Sequence, residues 1–143
     1  MLTKPLTKKQ LDSLSPLALA SVGDSVYDLM VRVHLCTKGV SQAGKLHQAR
    51  VWMVNAKAQA KAAEAILPLL TDQEHTVFRR GRNTQSGNVP QSASREEYQS
   101  ATAFEALIGY LYLTDKYDRL RELTEIAWAN TPIQAGFPGV PRT

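Results

Sequence analysis

The sequence predicts an all-α domain of about six helices, and three observations lead there. No stretch alternates apolar and polar residues with the period of two that a half-buried strand requires. Three segments open on helix-start signals: Ser15-Pro16, Thr71-Asp72-Gln73-Glu74 and Ser94-Arg95-Glu96-Glu97. The first sets a capping Ser before a Pro at the first helical position, and the other two have the spacing of a capping box. The stretch 101–113, ATAFEALIGYLYL, is helix-forming by residue type and apolar on every side, which marks a helix buried all round.

Taken in order, the first long helix starts at Pro16. Val22, Val26, Leu29, Met30 and Val33 fall at helical spacing and form one apolar stripe, with Gly39 as the stop. Asp28 and Arg32 stand one turn apart and form an ordinary pair. Asp24 lies opposite the stripe beside Ala20, Tyr27 and Val31, with no such local cation. The Ala-rich, basic stretch from Ser41 to Leu70 gives two helices, around 46–54 and 55–67, and Pro68 restricts continuation. A short helix follows from Asp72 to about Arg80 and runs into Arg79, Arg80, Arg82, Asn83 and a loop of Gly, Ser, Asn and Pro that includes Ser86. The central helix starts after Ser94. A last one carries Tyr117, Leu120, Leu123, Ile126 and Ala127 at intervals of three and four, ending near Ala129.

One domain is expected from 143 residues. Its catalytic or binding unit is placed at residues 1–131, and the Pro- and Gly-rich stretch 132–143 is expected to be a flexible tail. The single cysteine, Cys36, leaves no intramolecular disulfide. With no apolar run of membrane-spanning length and no signal-peptide core, it points to a soluble, cytoplasmic protein with no membrane partner. The net charge is +4, and the excess is +2 over residues 1–44, +5 over 45–95 and −3 over 96–143. Basic charge concentrated in the middle third suggests a polyanionic partner, with nucleic acid first.

Glu105 is the one charge inside the apolar central helix. A buried carboxylate is costly unless a metal, a cation or hydrogen-bond donors compensate it. Gly109, one turn later, costs about 1 kcal/mol of helix propensity against Ala and suggests close approach of another backbone. Two readings stand side by side: a site near an interface, or a core Glu paired with one Arg. Metal-thiolate chemistry is excluded by one Cys, and His34, His47 and His75 lack the spacing of a zinc helix. No nucleophile elbow and no Gly-rich phosphate loop is present. Oxygen ligation by Asp24 and Glu105 survives, and Mg²⁺ prefers such hard donors.

The run Leu17-Ala18-Leu19-Ala20-Ser21-Val22-Gly23-Asp24-Ser25-Val26 resembles the ribonuclease III signature. Thr102-Ala103-Phe104-Glu105-Ala106-Leu107-Ile108-Gly109 is similar to that family's second motif. Where ordinary ribonuclease III carries two further acids, this chain has Ala20 and Thr102. After residue 129 only a short stretch remains, with no room for a double-stranded-RNA-binding domain. These departures, with Arg80-Gly81-Arg82-Asn83 and the following loop, resemble the Mini-ribonuclease III branch.

The resemblance implies a ribonuclease III-like fold and a homodimeric, Mg²⁺-dependent endonuclease on double-stranded or structured RNA. Its products would carry 5′-phosphate and 3′-hydroxyl ends. It implies maturation of the large-subunit (23S) ribosomal RNA precursor as the task, with a ribosomal protein as a conceivable helper. Asp24 and Glu105 would be catalytic and metal-binding. Lys57, Arg79, Arg80, Arg82, Asn83 and Ser86 form the expected RNA-binding set. The homodimer is expected to pair the central helix across a two-fold axis, with Gly109 at the crossing. The two absent acids leave a competing reading open, a non-catalytic RNA-binding or ribosome-assembly protein that has kept the fold.

Overall fold

Side chains cap most of the helix starts. The computed structural model describes residues 3–84 and 93–129, and among these are seven α-helices and no strand. They are α1 (Lys8–Asp12), α2 (Pro16–Thr37), α3 (Ala43–Val51), α4 (Ala56–Ile66), α5 (Asp72–Arg82), α6 (Arg95–Leu113) and α7 (Tyr117–Ala129). The oxygens of Ser15, Thr71 and Ser94 each accept from a backbone N–H three residues on, at 3.1–3.2 Å. Both expected capping boxes close, with Glu74 and Glu97 reaching back to their caps. A third box, Thr7 with Gln10, starts the short α1 that the sequence reading leaves out. Helix α2 stops at Thr37, and Gly39 follows with φ 95°, as a C-terminal glycine should.

The axis of the fold is α6, packed by α2, α4, α5 and α7. Every residue from Ala101 to Leu111 except Glu105 is buried. Tyr27 and Phe104 meet edge to face at 4.9 Å, and the indole N–H of Trp128 donates to the Tyr27 hydroxyl at 3.0 Å. Buried Glu74 takes two hydrogen bonds of 2.9 Å from Arg119, which also donates to the Leu69 carbonyl. Those bonds from Arg119 hold the Glu74 carboxyl below its ordinary range and tie the start of α5 to α7.

The two sides of α2 differ in size of side chain. The buried side of α2 is Ala20, Gly23, Tyr27, Val31 and Leu35, whereas the apolar stripe lies away from it, with Leu29 60% and Val33 55% exposed and Val26 and Met30 partly buried. The helix is apolar on nearly all sides, so periodicity follows the bulk of the Val and Leu side chains. Packing follows instead the small residues that let two backbones approach.

One expectation needs correction, and it concerns Gly109. Its close approach is to α2 of the same chain, not to a partner's central helix. A Cβ on Gly109 would lie 2.1 Å from the Leu19 carbonyl oxygen, and one on Gly23 would lie 1.7 Å from that of Glu105. The reciprocal contact leaves no room for a methyl group on either helix, and α6 is enclosed within one chain.

Gly109→Ala or Gly23→Ala should therefore cost at least the roughly 1–3 kcal/mol of an overpacked core, because the clashing atoms are backbone. Gly44→Ala is the control, since nothing lies within 4 Å of its would-be Cβ, and it should gain up to about 1 kcal/mol of helix propensity. Thermal melts followed by circular dichroism separate the three variants.

Candidate active site

The crossing of α2 and α6 sets the site. Asp24 follows Gly23 and Glu105 precedes Gly109 by one turn, so the backbone contact brings the two carboxyl groups together from facing helices. Asp24 is exposed and Glu105 is partly buried. Burial, a hydrogen bond with Asp24 and the charge of Asp24 push the Glu105 carboxyl up to about 9. At neutral pH Glu105 is thus protonated and donates to Asp24. Among the described residues neither acid joins a salt bridge, so the reading of Glu105 as a core acid paired with one Arg does not hold.

The neighbouring positions add no further oxygen anions. Ala20 is buried, and Thr102 is buried with its hydroxyl donating to the Tyr98 carbonyl at 3.0 Å. Asp28, one turn after Asp24, is occupied. It accepts from Arg32 at 2.9 Å, as expected, and also from Arg50 of α3 at 2.5 Å. Burial opposes the charge on Asp28, but the two arginines hold its carboxyl below the ordinary value. The Arg50 contact spans 22 residues of sequence, and no local spacing reveals it.

Among the described residues no group of three or more His, Cys, Asp or Glu could hold a metal ion. Two carboxylates on facing helices, open to solvent on the Asp24 side, nevertheless suit an ion of the Mg²⁺ type. Such an ion keeps several waters and takes one or two carboxylates together with substrate phosphates. A bound cation would take the place of the proton held between the two carboxyl groups and offset the second negative charge.

Of the expected RNA-binding residues, Arg79, Arg82 and Asn83 come together. They line a cleft of about 380 Å³ with His75 over a floor of Leu67 and Phe78. Arg80 is exposed but does not line it, and Lys57 is exposed in the first turn of α4. The three arginines sit in the last turn of α5, where cations also favour the carbonyl end of the helix. Ser86 and the stretch 132–143 lie outside the described residues.

Beside Asp24, α2 turns its outward side chains into an apolar groove of about 620 Å³. Val22, Val26, Leu29 and Met30 form one wall, and Tyr112 and Leu120 stand opposite. Four residues of the apolar stripe thus line an open groove. No helix among the described residues is long and apolar enough to cross a membrane.

The ribonuclease III domain model matches residues 17–116, a span that includes both acids and the glycine crossing. The chain belongs to the ribonuclease III family. A Mini-ribonuclease 3 of Thermoanaerobacter sp. (strain X514) is 42% identical over 125 residues, covering 87% of this chain and 88% of the relative. A Mini-ribonuclease 3 of Brevibacillus brevis is 45% identical over 115 residues, covering 80% and 86%. A crystal structure of a Fusobacterium nucleatum protein superposes with a TM-score of 0.76 at 28% identity, over 85% of this chain and 98% of that one. These likenesses place the chain in the Mini-ribonuclease 3 branch, and it is an endoribonuclease.

The shared proton carries a pH signature. Between the ordinary value of 4.5 and about 9, the folded protein keeps a proton on Glu105 that the unfolded chain has released. The unfolded state then binds fewer protons, so this group's contribution to stability falls as pH rises across that window. In metal-free buffer, Glu105→Gln should gain on the wild type steadily from pH 5 to pH 9, and melts at several pH values check it. Parallel curves would place the charge of Glu105 elsewhere.

Proposed function

We propose that this endoribonuclease cuts double-stranded or structured RNA with the help of Mg²⁺, and that Asp24 and Glu105 are its catalytic acids. The observation that carries the reading is the meeting of two carboxyl groups, neither in a described ion pair, at a backbone-tight helix crossing open to solvent on one side. A divalent ion held there supplies, when bound, charge neutralisation at the phosphate and a more acidic water.

The chain's own contribution is geometric and electrostatic. The glycine crossing fixes the spacing of the carboxyl groups, so that their oxygens need little reorganisation as a phosphodiester arrives. Asp24 presents its acceptors outward to the substrate. Glu105, on its partly buried floor, holds a proton in the resting state and becomes an acceptor for a water hydrogen once that proton leaves. Attack of water at phosphorus with departure of the 3′ oxygen gives a 5′-phosphate and a 3′-hydroxyl end.

The family resemblance supports the large-subunit (23S) ribosomal RNA precursor as the physiological substrate, in the cytoplasm, with a ribosomal protein able to present it. The competing reading, a non-catalytic binder, draws on Ala20 and Thr102, which supply no carboxylate. The decisive experiment is cleavage of a duplex RNA with and without Mg²⁺. Asp24→Asn and Glu105→Gln should each lower the rate by at least about 100-fold, as loss of a group acting in general acid–base or electrostatic catalysis does, while RNA binding persists. Mg²⁺ should also raise the melting temperature of the wild type and not of the double variant. Wild-type turnover in either single variant would remove the catalytic assignment.

The partner on the apolar groove is, in this reading, a second copy of the chain. Support comes from the contiguous apolar side of α2, where Val22, Val26, Leu29 and Met30 line the groove with Leu29 60% exposed, and from its place on the helix that bears Asp24. A two-fold partner would bury both copies of the groove and set two active sites along one duplex. Leu29→Glu should yield a folded monomer by sedimentation, and a wild type monomeric at micromolar concentration contradicts the assignment.

Arg79, Arg82 and Asn83, with Arg80, Lys57 and Ser86, are the proposed phosphate contacts. Replacing Arg79, Arg80 and Arg82 together by alanine should flatten the slope of log K against log salt by about 0.7–0.9 for each phosphate that is no longer neutralised. An unchanged slope would return them to the role of helix-end charges.

A further inference from the structure

We infer that Arg32 and Arg50, held together by Asp28, form a clamp for a second phosphate of the substrate strand, adjoining the one that is cut. The inference rests on the reading of Asp24 and Glu105 as the catalytic acids. It deepens that reading by naming what aligns the strand over them.

The geometry of the cluster is the first observation. The two oxygens of Asp28 are divided between two arginines: Nε of Arg32 donates to one at 2.9 Å, and Nε of Arg50 to the other at 2.5 Å. The Nη groups of both guanidiniums have no partner among the described residues. They are not sealed in the core either, because no buried side-chain nitrogen there lacks a hydrogen bond. The side chains of Arg32 and Arg50 are 39% and 24% exposed. Both Nη groups of each arginine therefore reach solvent from around one carboxylate.

A structural ion pair in this protein looks different. Arg119 meets Glu74 through Nε and one Nη, and also donates to the Leu69 carbonyl and to Glu122. Every nitrogen of that guanidinium is engaged. One bidentate arginine is enough to match one carboxylate. Asp28 instead holds two arginines by a single N–H each, so two cations and one anion leave an excess positive charge. The surplus is donors aimed outward.

The place of the cluster says what those donors meet. Asp24, Asp28 and Arg32 follow at four-residue steps of α2 and so share one side of the helix. Asp28 lies about 6 Å along the axis from Asp24. A strand laid along α2 with its scissile phosphate at Asp24 brings an adjoining phosphate to the arginines. Arg50 closes on it from α3. No Asp or Glu occurs between Asp28 and Glu64, whereas Lys38, Lys45, Lys57 and Lys61 fall in that interval with both arginines. An anion arriving here meets no like charge from α3.

The chemistry fits a phosphodiester. The planar guanidinium edge matches two phosphate oxygens, which an ammonium cannot do. Asp28 fixes both side chains before the RNA arrives, so less freedom is lost on binding. Energy from a phosphate that does not react is then spent on orienting the one that does.

The test uses Arg50→Lys and Arg50→Gln. Lysine keeps the ion pair with Asp28, and with it the link between α2 and α3, but has no second edge for a phosphate. Arg50→Lys should melt near the wild type yet bind a labelled duplex RNA in EDTA about ten-fold more weakly, as loss of charge-assisted hydrogen bonds does. Arg32→Lys should behave alike. Arg50→Gln should bind as weakly, with the slope of log K against log salt flatter by about 0.7–0.9, the share of one phosphate. In Mg²⁺, duplexes that carry one uncharged methylphosphonate at each phosphate around the cut locate the contact. The wild type should cut slowly where the substitution adjoins the scissile phosphate. Neither Arg50 variant should lose further on that duplex, because both changes remove the same contact. Wild-type affinity of Arg50→Lys overturns the inference and leaves the cluster as a strut between α2 and α3. Losses that add at every methylphosphonate position overturn it as well. A wild type that binds the unmodified duplex without cutting it in Mg²⁺ removes the reading of the acids, and binding in EDTA still decides the clamp.

Discussion

The contact between α2 and α6 at Gly23 and Gly109 is the constraint on which the rest depends. Each glycine sits against a carbonyl of the other helix, so the two backbones run closer than side chains would permit. That approach cannot be relaxed locally. Around it α6 is enclosed by α4, α5 and α7, with Tyr27, Phe104 and Trp128 filling the space beyond the crossing. The glycines lower helix propensity where they occur, and the enclosed core offsets that cost.

The same contact explains the electrostatics. Bringing two helices to backbone distance brings the residues beside the glycines together, and here both are acids. With burial on one side and a like charge on the other, Glu105 keeps its proton to about pH 9. Asp28 shows how the fold treats an acid it means to neutralise, since two arginines reach it. Glu74 is treated likewise by Arg119. Against those two, the pair at the crossing stands out as charge left available, a pattern that functional sites share more often than structural ion pairs do.

Much of this was legible in the sequence, for identifiable reasons. Helix starts were readable because capping is local: Ser15, Thr71 and Ser94 each act within three residues of themselves. Asp24 and Glu105 stood out in the sequence because an acid in an apolar helix lacks a cheap explanation, and the Gly-Asp and Phe-Glu-Ala-Leu-Ile-Gly motifs resemble a known family. The structure brings the two together. The orientation of α2 was not readable. Large side chains dominate a periodicity reading, whereas the packed face was chosen by Ala20 and Gly23, whose virtue is their lack of bulk. Gly109 was identified as a point of close approach, but sequence carries no mark to say whether the second backbone belongs to the same chain. Arg50 was invisible as a partner of Asp28 because its contact is long-range. The short α1 was missed although Thr7 and Gln10 have capping-box spacing, since no apolar run follows them.

The outward stripe of α2 bears on how the two motifs divide their work. One side of this helix is specified by smallness and holds Asp24 at the crossing. The other is specified by size and lines an open groove. A single helix thus couples the geometry of the acids to whatever covers the groove, because a helix bonded along its backbone shifts as a unit. If a second copy covers it, association stiffens the helix that carries Asp24, and pairing and acid placement become one property. The cationic residues are distributed differently. Arg79, Arg80 and Arg82 stand in the last turn of α5, and Lys45, Lys57 and Lys61 on α3 and α4, all exposed. The acids are held at a backbone contact with no room to shift, whereas these cations stand on long side chains away from it.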